Sequence, residues 1–116
     1  MRELVVSAIA ETEIADILAF SAKHHGAEAA RRYLILPEQG IFDVLDEPDR
    51  PTSKPAEIGD LRLYPLRLAI RRLARADKVS TSPHLIVYRY DDAMVEIAHV
   101  LHAAMDLPHH LASDGA

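Results

Sequence analysis

A single glycine separates the two most regular stretches of this sequence. Before Gly26, apolar residues recur at helical spacing, from Ile14 and Ile17 to Phe20, and acidic residues precede basic ones. This pattern is typical of an amphipathic helix, and glycine is a common helix stop. We therefore predict a helix over residues 8–25, with Phe20 widening its core-facing stripe.

A second apolar stripe follows the glycine and keeps its phase through a proline. The helix that it predicts runs from Ala27 to Leu45 or Asp46, although Pro37 costs about 3 kcal/mol and Gly40 about 1 kcal/mol within a helix. The unchanged phase predicts a kink at Pro37 rather than a break. Two helices joined by one residue form an antiparallel hairpin. The stripe consists of Ala30, Leu34, Pro37, Ile41 and Val44.

The rest of the chain is dominated by short runs of β-branched and aromatic residues, which predict strands. Between them, residues 47–60 are rich in proline and charge and predict a connecting loop, whereas the conformation of residues 68–83 stays open. Asp91 to Ala93 are predicted to form the turn of a hairpin, and a helical turn is predicted in the tail from Met105. The predicted strands are residues 2–7, 61–67, 84–90 and 94–102.

The predicted order is strand, helix, helix, strand, strand, strand. It indicates one α+β domain over residues 1–116, in which the helix hairpin packs on one face of an antiparallel sheet. Apolar residues make up 49% of the chain, enough for a core. No apolar run approaches the roughly 18 residues of a membrane span, and the first residues lack the basic start of a signal peptide, so we expect a cytoplasmic protein.

Charge is strongly segregated along the chain. The net charge of −5 disfavours a general nucleic-acid binder, but residues 61–89 contain seven basic residues and one acidic residue. Arginine favours bidentate contacts with carboxylates or phosphates, although a solvated edge would have the same composition. Cysteine is absent, and the histidine pairs are adjacent residues that do not face one another on a helix, so no metal site is predicted.

Five strings of this sequence together resemble one protein family. They are Glu13, Ile14, Ile17 and Phe20 in the first helix, AARRYL at 29–34, LRLYPLR at 61–67, HLIVYRY at 84–90 and VEIAHVLHAAMDL at 95–107. This combination is similar to the toxins of bacterial type II toxin–antitoxin modules, the ParE/RelE superfamily, and within it to the ParE branch.

The resemblance implies a growth inhibitor that is neutralised by a cognate ParD-like antitoxin and needs no cofactor. For ParE-like members the implied target is DNA gyrase. For RelE-like members it is messenger RNA, cut in the ribosome. Sequence-specific nucleic-acid binding by this chain itself is not expected.

The nuclease alternative can be weighed from the last strand. Alternation along residues 94–102 predicts that Val95 and its odd-numbered companions, including His99 as a satisfied core histidine, meet the helices. Glu96 and His102 would then share the open face beside Arg89 or Tyr88 of the neighbouring strand. They lie about 20 Å apart along a strand, too far for one proton relay. We therefore predict a non-enzymatic inhibitor, with a RelE-like nuclease and an inactive antitoxin-binding homologue as the alternatives.

Two binding surfaces follow from the same patterns. Arg62, Arg67 and Arg89 are predicted to contact the target through charge. Ile35 and Phe42 point about 150° away from the core stripe of the second helix, and we predict that they contact the antitoxin. A loop or tail covering this face is the other explanation.

Overall fold

A two-helix hairpin covers one face of a five-stranded sheet in the computed structural model, which describes residues 2–75, 79, 81–104 and 107–111. The sheet order is β1-β5-β4-β3-β2. This arrangement confirms the α+β class and the order of the predicted elements. The elements are β1 (Glu3–Val6), α1 (Ala8–His25), α2 (Ala27–Asp46), β2 (Lys54–Pro55), β3 (Arg62–Pro65), β4 (His84–Tyr90), β5 (Met94–His102) and α3 (Leu107–Leu111).

The helix hairpin has the predicted bounds. Ser7 begins α1, since its hydroxyl oxygen accepts a hydrogen bond from the Ala10 amide at 3.0 Å. Gly26 ends α1 at a φ of 91°, a conformation that favours glycine. The second helix, α2, continues through Pro37 without a break.

The buried faces of both helices differ in part from the predicted stripes. Ile14 and Ile17 pack against the core as expected, but Phe20 is exposed. On α2, Pro37 and Val44 are buried, whereas Ala30, Leu34 and Ile41 are only partly buried. The buried face of α2 comprises Leu36, Pro37, Gly40, Asp43 and Val44.

The sheet is mixed rather than antiparallel throughout. β1 pairs in parallel with β5, with Leu4 opposite Val95, while the other neighbouring strands are antiparallel. The two-residue strand β2 lies inside the stretch predicted as a loop. Two short 3-10 helices, Leu66–Leu68 and Ile70–Arg72, follow β3, and residues 76–78 and 80 of the open segment lie outside the described residues.

A register shift in β5 changes which side chains face the helices. Tyr88 lies opposite Ile97 and Val87 opposite His99, so Ala98 is an extra residue in the strand. Before this point the odd-numbered Ile97 joins the core under the helices, but after it Val100 does so instead of Leu101. The prediction that all odd-numbered residues of the strand meet the helices is therefore wrong at Leu101.

The second face of the sheet has a core of its own. Val87, Ala98 and Leu101 form it together with Leu61 and Leu111. Leu61 belongs to the loop before β3, and Leu111 is a fully buried residue of α3. The predicted C-terminal helical turn therefore packs on the face of the sheet that was expected to be open to solvent.

Candidate functional site

The structure does not bring the three candidate nuclease residues together. Arg89 and Glu96 are paired across β4 and β5, and the Arg89 Nη1 donates to the Glu96 Oε1 at 3.1 Å. His102 is paired with His84, whose ring contacts Tyr33 of α2. Since the extra residue at Ala98 reverses the alternation, His102 lies on the helix side and Glu96 on the other side, so their predicted common face is wrong.

The three predicted target-binding arginines also fail to form one patch. Arg62 lies opposite Tyr88 and shares its face, whereas Arg89 is the next residue of β4 and lies on the other face. Arg62 donates from Nε and Nη2 to the Ser53 hydroxyl, at 3.1 and 2.9 Å. Arg67 is exposed and follows β3.

Arg89 is held between two carboxylates. Its Nε donates to the Asp60 Oδ1 at 3.0 Å, in addition to the contact with Glu96. The two carboxylates together carry more negative charge than the one positive charge of Arg89. Arg67 is consequently the member of the predicted set that presents its charge to solvent.

Only one of the two predicted antitoxin contacts on α2 has the exposed side chain that the prediction requires. Phe42 is 62% exposed and lines a shallow cavity with Arg2, Leu45 and Asp46. Ile35 instead is partly buried and packs against the core under the helices. The prediction that Ile35 points away from the core is therefore wrong, and the buried face of α2 is centred about one residue before the predicted stripe.

An apolar groove of about 570 Å³ was not predicted from the sequence. Phe20 is 63% exposed at this groove and stacks on His24, with 4.2 Å between the ring centroids. The sequence signal was Phe20 itself, an aromatic residue at the edge of its helical stripe. The groove is lined by Asp16, Ile17, Phe20, Ser21, His25, Tyr33, Pro83, His84 and His102.

A closed ring of hydrogen bonds lies at one end of this groove. The His84 amide donates to the Ser82 Oγ at 3.2 Å, and Ser82 Oγ lies 2.6 Å from the Tyr33 hydroxyl. The Tyr33 oxygen is in turn 2.7 Å from the Nδ1 of His84. Burial lowers the pKa of His84, and the nearby His102 lowers it further. The direction of the two side-chain hydrogen bonds follows the tautomer of His84, since a neutral imidazole can donate or accept at Nδ1.

His99 is the core histidine that the sequence predicted. It is buried, and its Nδ1 lies 3.2 Å from both carboxylate oxygens of Glu13 on α1. In the described ranges, no three histidine, aspartate or glutamate residues are close enough to hold a metal ion. No helix in the described part of the chain is long and apolar enough to cross a membrane.

The fold and these surfaces define a small α+β domain with a helix hairpin on a mixed sheet. The family model described as the ParE toxin of type II toxin–antitoxin system, parDE, matches residues 4–107. The chain therefore belongs to the ParE toxin family.

One solved structure supports the fold independently. It is described as the chromosomal ParDE TA system from P. aeruginosa, and it is similar to this chain with a TM-score of 0.68 and 15% identity. The likeness covers 88% of this chain and 96% of that chain, and at this identity it shows the fold alone. No curated protein matches the chain in sequence.

Proposed function

We propose that this ParE-family toxin inhibits DNA gyrase by binding it, without catalysing a reaction itself, and that a ParD-like antitoxin neutralises it in the cytoplasm. Membership of the ParE family supports the target and the partner. The observation that carries the non-enzymatic part is the separation of Glu96 and His102 onto opposite faces of the sheet. Cleavage of RNA would need a general base and a general acid around one phosphate.

The surface chemistry is consistent with an inhibitor that acts by contact. Arg67 is an exposed cation, and Phe42 is an exposed aromatic side chain on a different element. Arginine and aromatic residues are enriched where protein interfaces concentrate their binding energy. We therefore assign the target contact to the Arg67 region and the antitoxin contact to the Phe42 region of α2.

The test incubates the purified chain with gyrase, supercoiled plasmid and ATP, and measures trapped double-strand breaks with and without antitoxin. Breaks that appear with the toxin and disappear with the antitoxin would support the proposal. Arg67→Glu is expected to reduce the breaks at least tenfold. Arg31→Glu is the matched control, because it makes the same charge change at another exposed arginine, on α2.

Two other results would reject the proposal. Growth arrest without gyrase-dependent breaks would favour ribosome-dependent RNA cleavage, and would make Glu96, His102 and Arg89 the first residues to replace. A folded chain that binds antitoxin but arrests no growth would be an inactive homologue.

A further inference from the structure

Three arginines surround a pocket of about 300 Å³ between the loop after α2, strand β3 and the 3-10 helices that follow β3. This volume is at the lower end of the range for small-molecule sites, about 300–1,000 Å³. None of the lining residues is acidic. The lining consists of Arg50, Thr52, Tyr64, Leu68, Arg71 and Arg72.

Arg50 is the fixed base of this pocket. It is only 7% exposed, and its Nη1 donates to the Asp43 carbonyl at 2.6 Å in the last turn of α2. Its Nε donates to the Thr52 hydroxyl oxygen at 3.2 Å, and its guanidinium lies 5.2 Å from the centre of the Tyr64 ring. The guanidinium is thus oriented before any ligand arrives, and binding requires little further ordering of this side chain.

One buried carboxylate lies close to the pocket, but its oxygens are already engaged. The Asp43 Oδ2 accepts from the Tyr64 hydroxyl at 2.8 Å, and Oδ1 accepts from the Gln39 amide at 2.9 Å. The Arg72 Nε is 3.3 Å from the same Oδ1, and the Asp43 side chain is 1% exposed. Counted over the lining residues and Asp43, one carboxylate offsets one of the three guanidinium charges and leaves a net charge of +2.

We propose that this pocket binds a phosphate dianion, as free inorganic phosphate or as the terminal phosphate of a small phosphate monoester. Guanidinium groups match phosphate oxygens with paired hydrogen bonds. Because the Thr52 hydroxyl accepts from Arg50, its own proton is available to donate to the ligand. A phosphate monoester carries close to two negative charges at neutral pH, which balances the pocket, whereas a carboxylate or a phosphodiester carries one.

The proposal does not depend on gyrase as the target. Its ligand-binding residue Arg71 is exposed and is separate from Arg67, the residue assigned to the target contact. Binding can be measured with the isolated chain, so its failure and the failure of the gyrase proposal are distinguishable.

The test is calorimetric titration of the full chain with inorganic phosphate and with 5′-AMP at pH 7.5, against chloride at matched ionic strength and against adenosine. We expect saturable binding of one phosphate group per chain, weakened at least tenfold by Arg71→Glu. Arg75→Glu, with the same charge change at an exposed arginine that does not line the pocket, is expected to bind within twofold of wild type. Circular dichroism and the milder Arg71→Gln separate lost binding from lost folding.

The two phosphate sources give different results. Equal affinity for phosphate and 5′-AMP would identify free phosphate as sufficient, whereas much tighter binding of 5′-AMP, with none of adenosine, would identify a nucleotide. The proposal is overturned if wild type binds neither probe better than chloride, or if Arg75→Glu and Arg71→Glu weaken binding equally. Tighter Arg71-dependent binding of a short DNA duplex without terminal phosphates would also overturn it, in favour of a nucleic-acid backbone.

Discussion

Gly40 shows how a residue with a local cost is explained by its tertiary contacts. In isolation it weakens α2 by about 1 kcal/mol relative to alanine. A Cβ atom at this position would lie 2.4 Å from the Leu66 Cδ2 and 2.9 Å from the Ile86 Cδ1. Both neighbours are fully buried, so α2 can approach the sheet this closely only with a residue that has no side chain.

His84 makes the stability of the protein depend on pH. Its pKa is lower in the folded chain than the ordinary value of about 6.5, because of burial and the neighbouring His102. The unfolded chain therefore binds more protons than the folded chain in this range. The stabilisation from neutral His84 is complete above pH of about 6.5 and is lost as the pH falls through the folded pKa.

We predict that His84→Gln flattens the fall in stability between pH 7.5 and 5.0. The measurement is the urea midpoint of wild type and variant at several pH values. The other histidines are common to both proteins, so the difference between the two curves reports His84 together with its interaction with His102. Parallel curves over the whole range would show that His84 is not the titrating group.

At the scale of elements, the start of α1 supplies hydrogen-bond partners for the backbone groups of β5 that β1 does not reach. β1 covers β5 only as far as Ile97. Beyond it, the Ser7 hydroxyl donates to the Ala98 carbonyl at 2.8 Å, and the Val100 amide donates to the Glu13 Oε1 at 3.0 Å. The parallel pairing of β1 and the position of α1 are therefore linked, because α1 takes over the edge groups where β1 ends.

Glu13→Ala is predicted to destabilise the fold by about 1–3 kcal/mol, since it leaves the Val100 amide without its acceptor and removes one partner of His99. Glu11→Ala is the matched control, because Glu11 is an exposed carboxylate of the same helix. Urea denaturation measures the stability, and hydrogen exchange at the Val100 amide reports on the edge directly. Unchanged exchange at Val100 would contradict this role of Glu13.

At the scale of the whole molecule, the two equally exposed aromatic side chains mark different surfaces. Phe42 lies on α2 beside Arg2, whereas Phe20 lies on α1 at the 570 Å³ groove. Each is large enough to anchor a partner helix. Since Ile35 belongs to the core, the antitoxin hypothesis for α2 depends on Phe42.

We predict that Phe42→Ser weakens binding of the antitoxin at least tenfold, or about 1.4 kcal/mol, and leaves the fold intact. Phe20→Ser is the control, because it removes a ring of the same exposure from the other surface. Affinity is measured by calorimetry with the cognate antitoxin. Loss of affinity for Phe20→Ser alone would place the antitoxin in the groove and reject the α2 surface.

The sequence by itself determined the elements with strong local periodicity. The bounds of α1, β4 and β5 agree with those predicted, and α2 continues through Pro37, because the 3.6-residue and two-residue patterns are properties of neighbouring residues. The family was also recognisable from local strings. These features needed no knowledge of which segment contacts which.

Only the tertiary structure decided which face of its element each side chain occupies and which segments of the chain contact each other. One extra residue at Ala98 reverses the alternation in β5, and so separates His102 from Glu96. The parallel pairing of β1 and the burial of Ile35 likewise depend on contacts between segments distant in sequence. The pocket around Arg50 unites three regions of the chain, and no periodic pattern records that proximity. Local patterns fix the conformation of a segment, but strand register and packing fix which way its side chains face.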